Sequence, residues 1–250
     1  MFVRSALTAL ATFVTLVLLS TGALADTVVP GGNIINQTWS PAGSPYIVQG
    51  DIIVPAGSTL TIQAGTTVQF AASDGQASGL DTSRVELTVR GTLTVNGTVV
   101  SPVTMGGVSA SPGSWYGLII DSTAAAATLN NLSISQAVRG VSHLATAATV
   151  SSSGLTIQNA LTYGLYVAAG NPTFDGLSAI GSSNSGVYVD GSGSLALTNC
   201  VVRGSVSHGI YFAPSSSGRT LAVTNCTINS NGSYGIRSAG SAGTVTVTNS

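Results

Sequence analysis

Lysine is absent from this 250-residue chain, and glutamate appears once, as Glu86. Histidine and cysteine occur twice each, and charged residues make up only 6% of the composition. Each shortage closes a class of function. Without a basic excess there is no electrostatic footprint for nucleic acid. Eight acids against seven arginines do not make a surface that gathers cations either. His143 and His208 have no second ligand at zinc spacing. No phosphate loop and no dinucleotide fingerprint is present. Helical periodicity is missing after residue 26, and no run beyond that point approaches the roughly 18 apolar residues that span a bilayer.

Low charge would signal disorder if the chain were also poor in apolar residues. It is not: the hydrophobic fraction is 44%, and the apolar residues alternate with Ser, Thr, Gly and Asn in strand fashion. The first 25 residues are different. Arg4, the apolar run Ala6 to Leu19 and the Ala23-Leu24-Ala25 sequence form the pattern of a cleaved secretory signal. No cysteine stands at the cleavage site to carry a lipid. Cleavage after Ala25 leaves six arginines and eight acids, a net charge of −2. Secretion, or display at the cell surface, is the expected destination.

The mature part repeats itself. Gly117, Gly140, Gly164, Gly186, Gly209 and Gly235 follow one another at intervals of 22 to 26 residues. Nine residues before the last four stand Leu155, Leu177, Cys200 and Cys226. The stretches "LTNC" (Leu197 to Cys200), "VTNC" (Val223 to Cys226) and "VTNS" (Val247 to Ser250) are copies of one another. A period of this size holds two or three short strands and their turns, which is one coil of a parallel β-solenoid. One coil cannot bury its apolar face alone, and stacked coils can. The residues one and three past each glycine (Leu165 and Val167, Val187 and Val189, Ile210 and Phe212) should line the core, and the residue two past it should face out.

The run "WSPAGSPYIVQGDIIVPAGSTLTIQAGTTVQF" (Trp39 to Phe70), with "LTVRGTLTVNGT" (Leu87 to Thr98) and "WYGLII" (Trp115 to Ile120), resembles secreted bacterial right-handed parallel β-helix repeat proteins of the pectate-lyase-like class. The resemblance implies an all-β fold over roughly residues 38 to 250, and a class that includes lyases, hydrolases, epimerases, adhesins and plain surface proteins. The expected layout is a signal peptide over 1–25, an N-terminal cap over 26–46 and the parallel β-helix over 47–250. The last coil stops part-way, so the expectation is either that the sequence continues beyond Ser250 or that another chain covers this end.

Catalytic groups are hard to assemble on this repeat. Asp121 and Asp190 share one coil position but lie three coils apart, roughly 14 Å at the strand spacing. That exceeds the separation of a glycosidase pair. Both read as turn aspartates. Nothing places a Ser-His-Asp constellation. His143 falls on an inward slot. No catalytic and no metal-binding residue is therefore assigned, and no cofactor is expected. The exception is the interrupting loop Ala71 to Glu86, "AASDGQASGLDTSRVE", which gathers Asp74, Asp81, Arg84 and Glu86. A lyase of the resembled class would need carboxylates for Ca²⁺, and this loop is where they would be.

Two columns remain. Cys200 and Cys226 occupy equivalent positions of neighbouring coils, within disulfide reach of each other, yet Leu155 and Leu177 fill the same column, so a bridge and a pair of buried thiols both fit. Asn199, Asn225 and Asn249 form a turn column in which stacked amides can hydrogen-bond. The residue two past each glycine reads Ile119, Ser142, Tyr166, Tyr188, Tyr211 and Arg237. Three tyrosines and an arginine on one outer strip leave two readings open: side chains stacking along a sheet face or meeting another protein, and a surface for a polysaccharide or cell-surface glycan, whose ring faces pack on phenols and whose uronate carboxylates pair with the guanidinium. The expected function is an exported β-helix scaffold with a structural, adhesive or glycan-binding role. The alternative is a polysaccharide lyase or hydrolase working in the 71–86 loop or beyond Ser250. The runs "TLTI", "TLTV" and "TVTVT" also raise an ice-binding surface, against which stands the expectation that their threonines do not recur at one position.

Overall fold

The computed structural model describes residues 26–239 and 243–250. The signal sequence expected over 1–25 lies outside them. The described chain is a parallel β-helix. Its strands fall into three nine-stranded sheets, and every third strand joins the same sheet. All strand pairs are parallel, each coil stacking in register on the next. The first sheet runs from Thr27–Val29 to Thr227–Asn229, the second from Gly32–Asn33 to Ile236–Ser238, and the third from Gln37–Trp39 to Gly243–Thr248. Among the described residues the one helical element is a short 3-10 turn at Pro41–Gly43. The segment expected as a cap, 26–46, is itself built as a coil. Its strands pair with Tyr46–Val48, Ile52–Val54 and Thr59–Gln63 of the next.

Alternation sets the core. In the second sheet Val54, Val89, Ile120, His143, Val167, Val189 and Phe212 stack in one inward column, and Ile52, Leu87, Leu118, Val141, Leu165, Val187 and Ile210 in another. Each is buried, and each apolar member contributes roughly 1.5–3 kcal/mol. Phe70 and Trp115 stack in the bore with ring centroids 3.9 Å apart, and Trp115 Nε1 donates to the Ser135 carbonyl.

The repeated glycine answers a steric demand. A Cβ on Gly140, Gly164, Gly186 or Gly209 would lie 2.5–3.0 Å from the carbonyl oxygen of the corresponding glycine in the next coil. Each coil leaves that space for its neighbour's backbone, so the column stays glycine as long as the coils stack.

Two expectations are corrected. Asn199, Asn225 and Asn249 do align, but as left-handed turn residues with φ of 51° to 55°. Gly154, Gly176 and Asn131 share that conformation and column. Asparagine and glycine replace one another there because both tolerate positive φ, and the Asn199 amide donates to Asp175 Oδ1 (2.8 Å) rather than to another asparagine. The threonines, too, recur at one position. Thr38, Thr61, Thr94, Thr128 and Ser151 follow one another in the third sheet, although insertions between the coils hide the period in the sequence.

Candidate functional site

The outer face of the second sheet carries the expected strip. Ser142, Tyr166, Tyr188, Tyr211 and Arg237 are register partners in successive strands. Tyr166 and Tyr188 have ring centroids 5.7 Å apart, and Tyr188 and Tyr211 5.2 Å. The Arg237 guanidinium sits 5.1 Å from the Tyr211 ring centroid.

The structure adds residues that strand alternation alone does not place on this face. They stand just before the glycine: Arg139, Tyr163 and His208. Tyr163 lies 6.0 Å from Tyr166 and 4.7 Å from Tyr188. Arg139 lies over Tyr166 at 4.2 Å and over Tyr163 at 5.8 Å. His208 packs edge-on to Tyr211 at 5.3 Å and accepts a hydrogen bond at Nε2 from Arg237 Nη1. Strict alternation would put these side chains on the inward face, with the residue one past the glycine. Alternation breaks at the glycine, which in Arg139–His143 and Tyr163–Val167 lies within the strand, and the side chain before it stands on the outer face with the residue two past it. The signal was in the sequence, in the column Tyr116, Arg139, Tyr163, Ser185, His208 and Tyr234.

Burial holds the phenols of Tyr163, Tyr166 and Tyr188 in their neutral, donating form between two cations. Burial, then Asp190, pushes the Tyr188 phenol up to about 12. Tyr163 and Tyr166 are raised by burial as well. His208 is lowered by burial and by the neighbouring Arg237, both of which disfavour its charged form. The strip therefore offers phenol rings, phenol O–H groups and a guanidinium near each end.

On the same outer face, at the earlier coils, lies a cleft of about 330 Å³ lined by Gly79, Leu80, Glu86, Thr88, Arg90, Ile119, Asp121 and Leu144. The loop from Ala71 to Glu86 forms one wall. It is tied down by hydrogen bonds. Asp74 accepts from the backbone N–H groups of Asp51, Gln76 and Ser78, and Arg84 pairs with Asp81 at 2.7 Å. The structure brings in Asp51, which sequence reasoning left out of this cluster. It accepts from Ser78 Oγ (2.6 Å) and from the Glu86 N–H (2.9 Å).

Asp51 and Glu86 are 2% and 3% exposed, and both carboxylates crowd the space beside Gly79. Burial raises the Glu86 carboxyl from its ordinary 4.5 to about 7, with the neighbouring Asp51 adding to the effect, against the hydrogen bond from the Leu80 N–H. Asp51 is raised for the same first reason. Glu86 is thus a proton-holding acid at the edge of a cleft. No group of three or more acids, histidines or cysteines among the described residues is arranged to hold a metal ion.

The other singled-out residues have structural places. Asp121 accepts from the Thr123 backbone and hydroxyl and lies 3.9 Å from Arg90. Asp190 caps its own turn through the Gly191 N–H. His143 is buried in the bore with Nδ1 on the Ala169 carbonyl and Nε2 unpartnered. Cys200 and Cys226 are both free thiols. They stack in the core, where the Cys200 N–H donates to the Cys226 sulfur at 3.4 Å.

Comparison with known families supports the fold. The family described as "Right handed beta helix region" matches residues 85–250. No curated protein matches the chain. Among solved structures, the periplasmic alginate epimerase AlgG is similar over 87% of this chain and 73% of its own, at 11% identity and a TM-score of 0.43.

Proposed function

This chain belongs to the right-handed β-helix family, and we propose that within it the protein is an exported scaffold that binds an acidic polysaccharide along the tyrosine face of its second sheet. One observation carries this reading: Tyr163, Tyr166, Tyr188 and Tyr211 form a continuous aromatic surface with Arg139 at one end and Arg237 at the other. Successive coils repeat at about 4.8 Å, so an extended chain lying along the helix axis meets a phenol at each coil. Ring faces of sugars pack on the phenols, and the two guanidiniums select carboxylate-bearing units over neutral ones. The signal pattern over residues 1–25 supports export.

The test is a pull-down on immobilised polyuronate, with a neutral glucan as control. Replacing Tyr166, Tyr188 and Tyr211 together by Ser should abolish retention on the polyuronate while the variant still unfolds cooperatively. Undiminished retention would reject the reading.

A second reading rests on Glu86. A buried carboxyl that keeps its proton near neutral pH, beside a cleft on the face that carries the tyrosines, suits general acid catalysis on a bound glycan. Incubation with uronate polymers, with and without Ca²⁺, followed by analysis of chain length, separates an enzyme from a binder. Shortened chains with the wild type but not with Glu86→Gln favour the enzyme.

A further inference from the structure

The outer face of the third sheet carries a second array, separate from the tyrosine face. Along each strand, outward residues two apart are separated by about 6.6–6.8 Å, and neighbouring coils by about 4.8 Å. On this grid Thr59 and Thr61 lie beside Thr92 and Thr94. Thr128 follows, then Thr149 and Ser151. Thr38 continues the central rank at one end. Thr220, Thr224, Thr244, Thr246 and Thr248 resume the pattern in the last two coils, with Ala222 beside Thr246. Asp175 is the only ionisable side chain on the outward positions of the described strands of this sheet. Apart from the contact of Ser151 Oγ with Thr128 Oγ1 at 3.4 Å, these hydroxyls have no protein partner among the described residues.

A partner for such a face is defined by its periodicity. A folded protein or a flexible glycan would contact a few coils through particular charges or pockets. On its described strands this face carries Asp175 as its one charge, and a cleft lined in part by Thr173, Ala196, Thr220 and Ala222, both where the threonine ranks are interrupted. Within the ranks it offers a hydroxyl and methyl in two dimensions, broken in the first block by Ala126. A lattice can engage every rank at once. The two repeats lie close to the oxygen repeats on the prism faces of hexagonal ice. We propose that the threonine face of the third sheet binds ice. The methyl groups hold first-layer water in ordered positions, and the hydroxyls, each donor and acceptor, anchor it. β-Branching restricts χ1, so the ranks are regular before they meet the crystal and little freedom is lost on binding.

The test is partitioning of the fluorescently labelled full chain into a slowly grown ice hemisphere, read beside inhibition of ice recrystallisation. The wild type should be enriched in the ice. Thr61→Lys, Thr94→Lys and Thr128→Lys together place cations on the central rank while leaving the inward columns intact. They should reduce incorporation to that of an inert control protein. If the triple variant does not fold, Thr94→Lys alone should give a measurable loss. The variant with Tyr166, Tyr188 and Tyr211 replaced by Ser should remain ice-bound, which separates this proposal from the glycan reading. Exclusion of the wild type from ice overturns the proposal, as does incorporation that survives the lysines. Adsorption to crystalline cellulose in place of ice overturns it too.

Discussion

The Tyr163 and Tyr188 rings lie 4.7 Å apart, closer than any two members of the column that holds Tyr166, Tyr188 and Tyr211. They come from different positions of neighbouring strands, because Tyr163 precedes its glycine and Tyr188 follows its own by two. Two columns thus converge into one aromatic surface, and Arg139 closes it.

Arg139→Ala should weaken retention on polyuronate, with the larger loss at low ionic strength, where the charge is least screened. Arg139→Lys should recover only part of it, since an ammonium lacks the planar group that lies over Tyr166 at 4.2 Å. The variant should cost the fold no more than about 1 kcal/mol, the size of a partly exposed cation–π contact. Denaturant melts and binding isotherms on the same samples check both.

Glu86 makes stability fall as pH rises. Its carboxyl titrates near 4.5 when unfolded and at about 7 when folded, so the folded state holds the extra proton between those values. Its contribution is fully present below pH 4.5 and is lost as the pH passes 7. The shift corresponds to as much as about 3 kcal/mol. Glu86→Gln, which keeps the shape without the charge, should flatten that part of the stability–pH curve. A curve unchanged by the substitution would contradict the raised carboxyl.

Gly186→Ala should destabilise the helix by about 1–3 kcal/mol, the usual cost of overpacking. Its Cβ would lie 2.5 Å from Val202 Cγ1 and 3.0 Å from the Gly209 carbonyl oxygen. Gly218→Ala is the counterpart with strain and no crowding, since nothing lies within 4 Å of that Cβ while its φ of 73° is one that L residues rarely adopt. Thermal melts of the two variants separate crowding from strain.

Cys200 and Cys226 should titrate as two thiols in the unfolded, unreduced protein and as none in the native state. Burial, then the neighbouring Cys226, pushes the Cys200 thiol up to about 12, far from the reactive thiolate. Absence of free thiol after unfolding would mean that the stacked pair closes into a disulfide.

Much of the fold was legible because a solenoid writes its register into the chain. The glycine column, the inward pairs such as Leu165 and Val167, and the outward line Tyr166, Tyr188, Tyr211 and Arg237 follow from one period and the two-residue alternation of a strand. The rest escaped for stated reasons. Arg139 and Tyr163 were missed because the two-residue alternation breaks at the glycine that follows each of them. The threonine rank was missed because the 71–86 loop and the segment between Asn96 and Ala126 lengthen two coils, so equal positions in space are unequal in sequence. Asp51 was left out of the loop cluster because Glu86, whose N–H it binds, lies 35 residues away along the chain.

The sequence by itself determined the architecture: a period of 22 to 26 residues, strand alternation and turn residues that tolerate positive φ allow the chain little besides stacked coils. Tertiary structure decided which outward side chains share a surface, and which acid is buried deeply enough to keep its proton. Those properties depend on distances between coils and on exclusion of water, and neither is a property of a residue until its neighbours are in place.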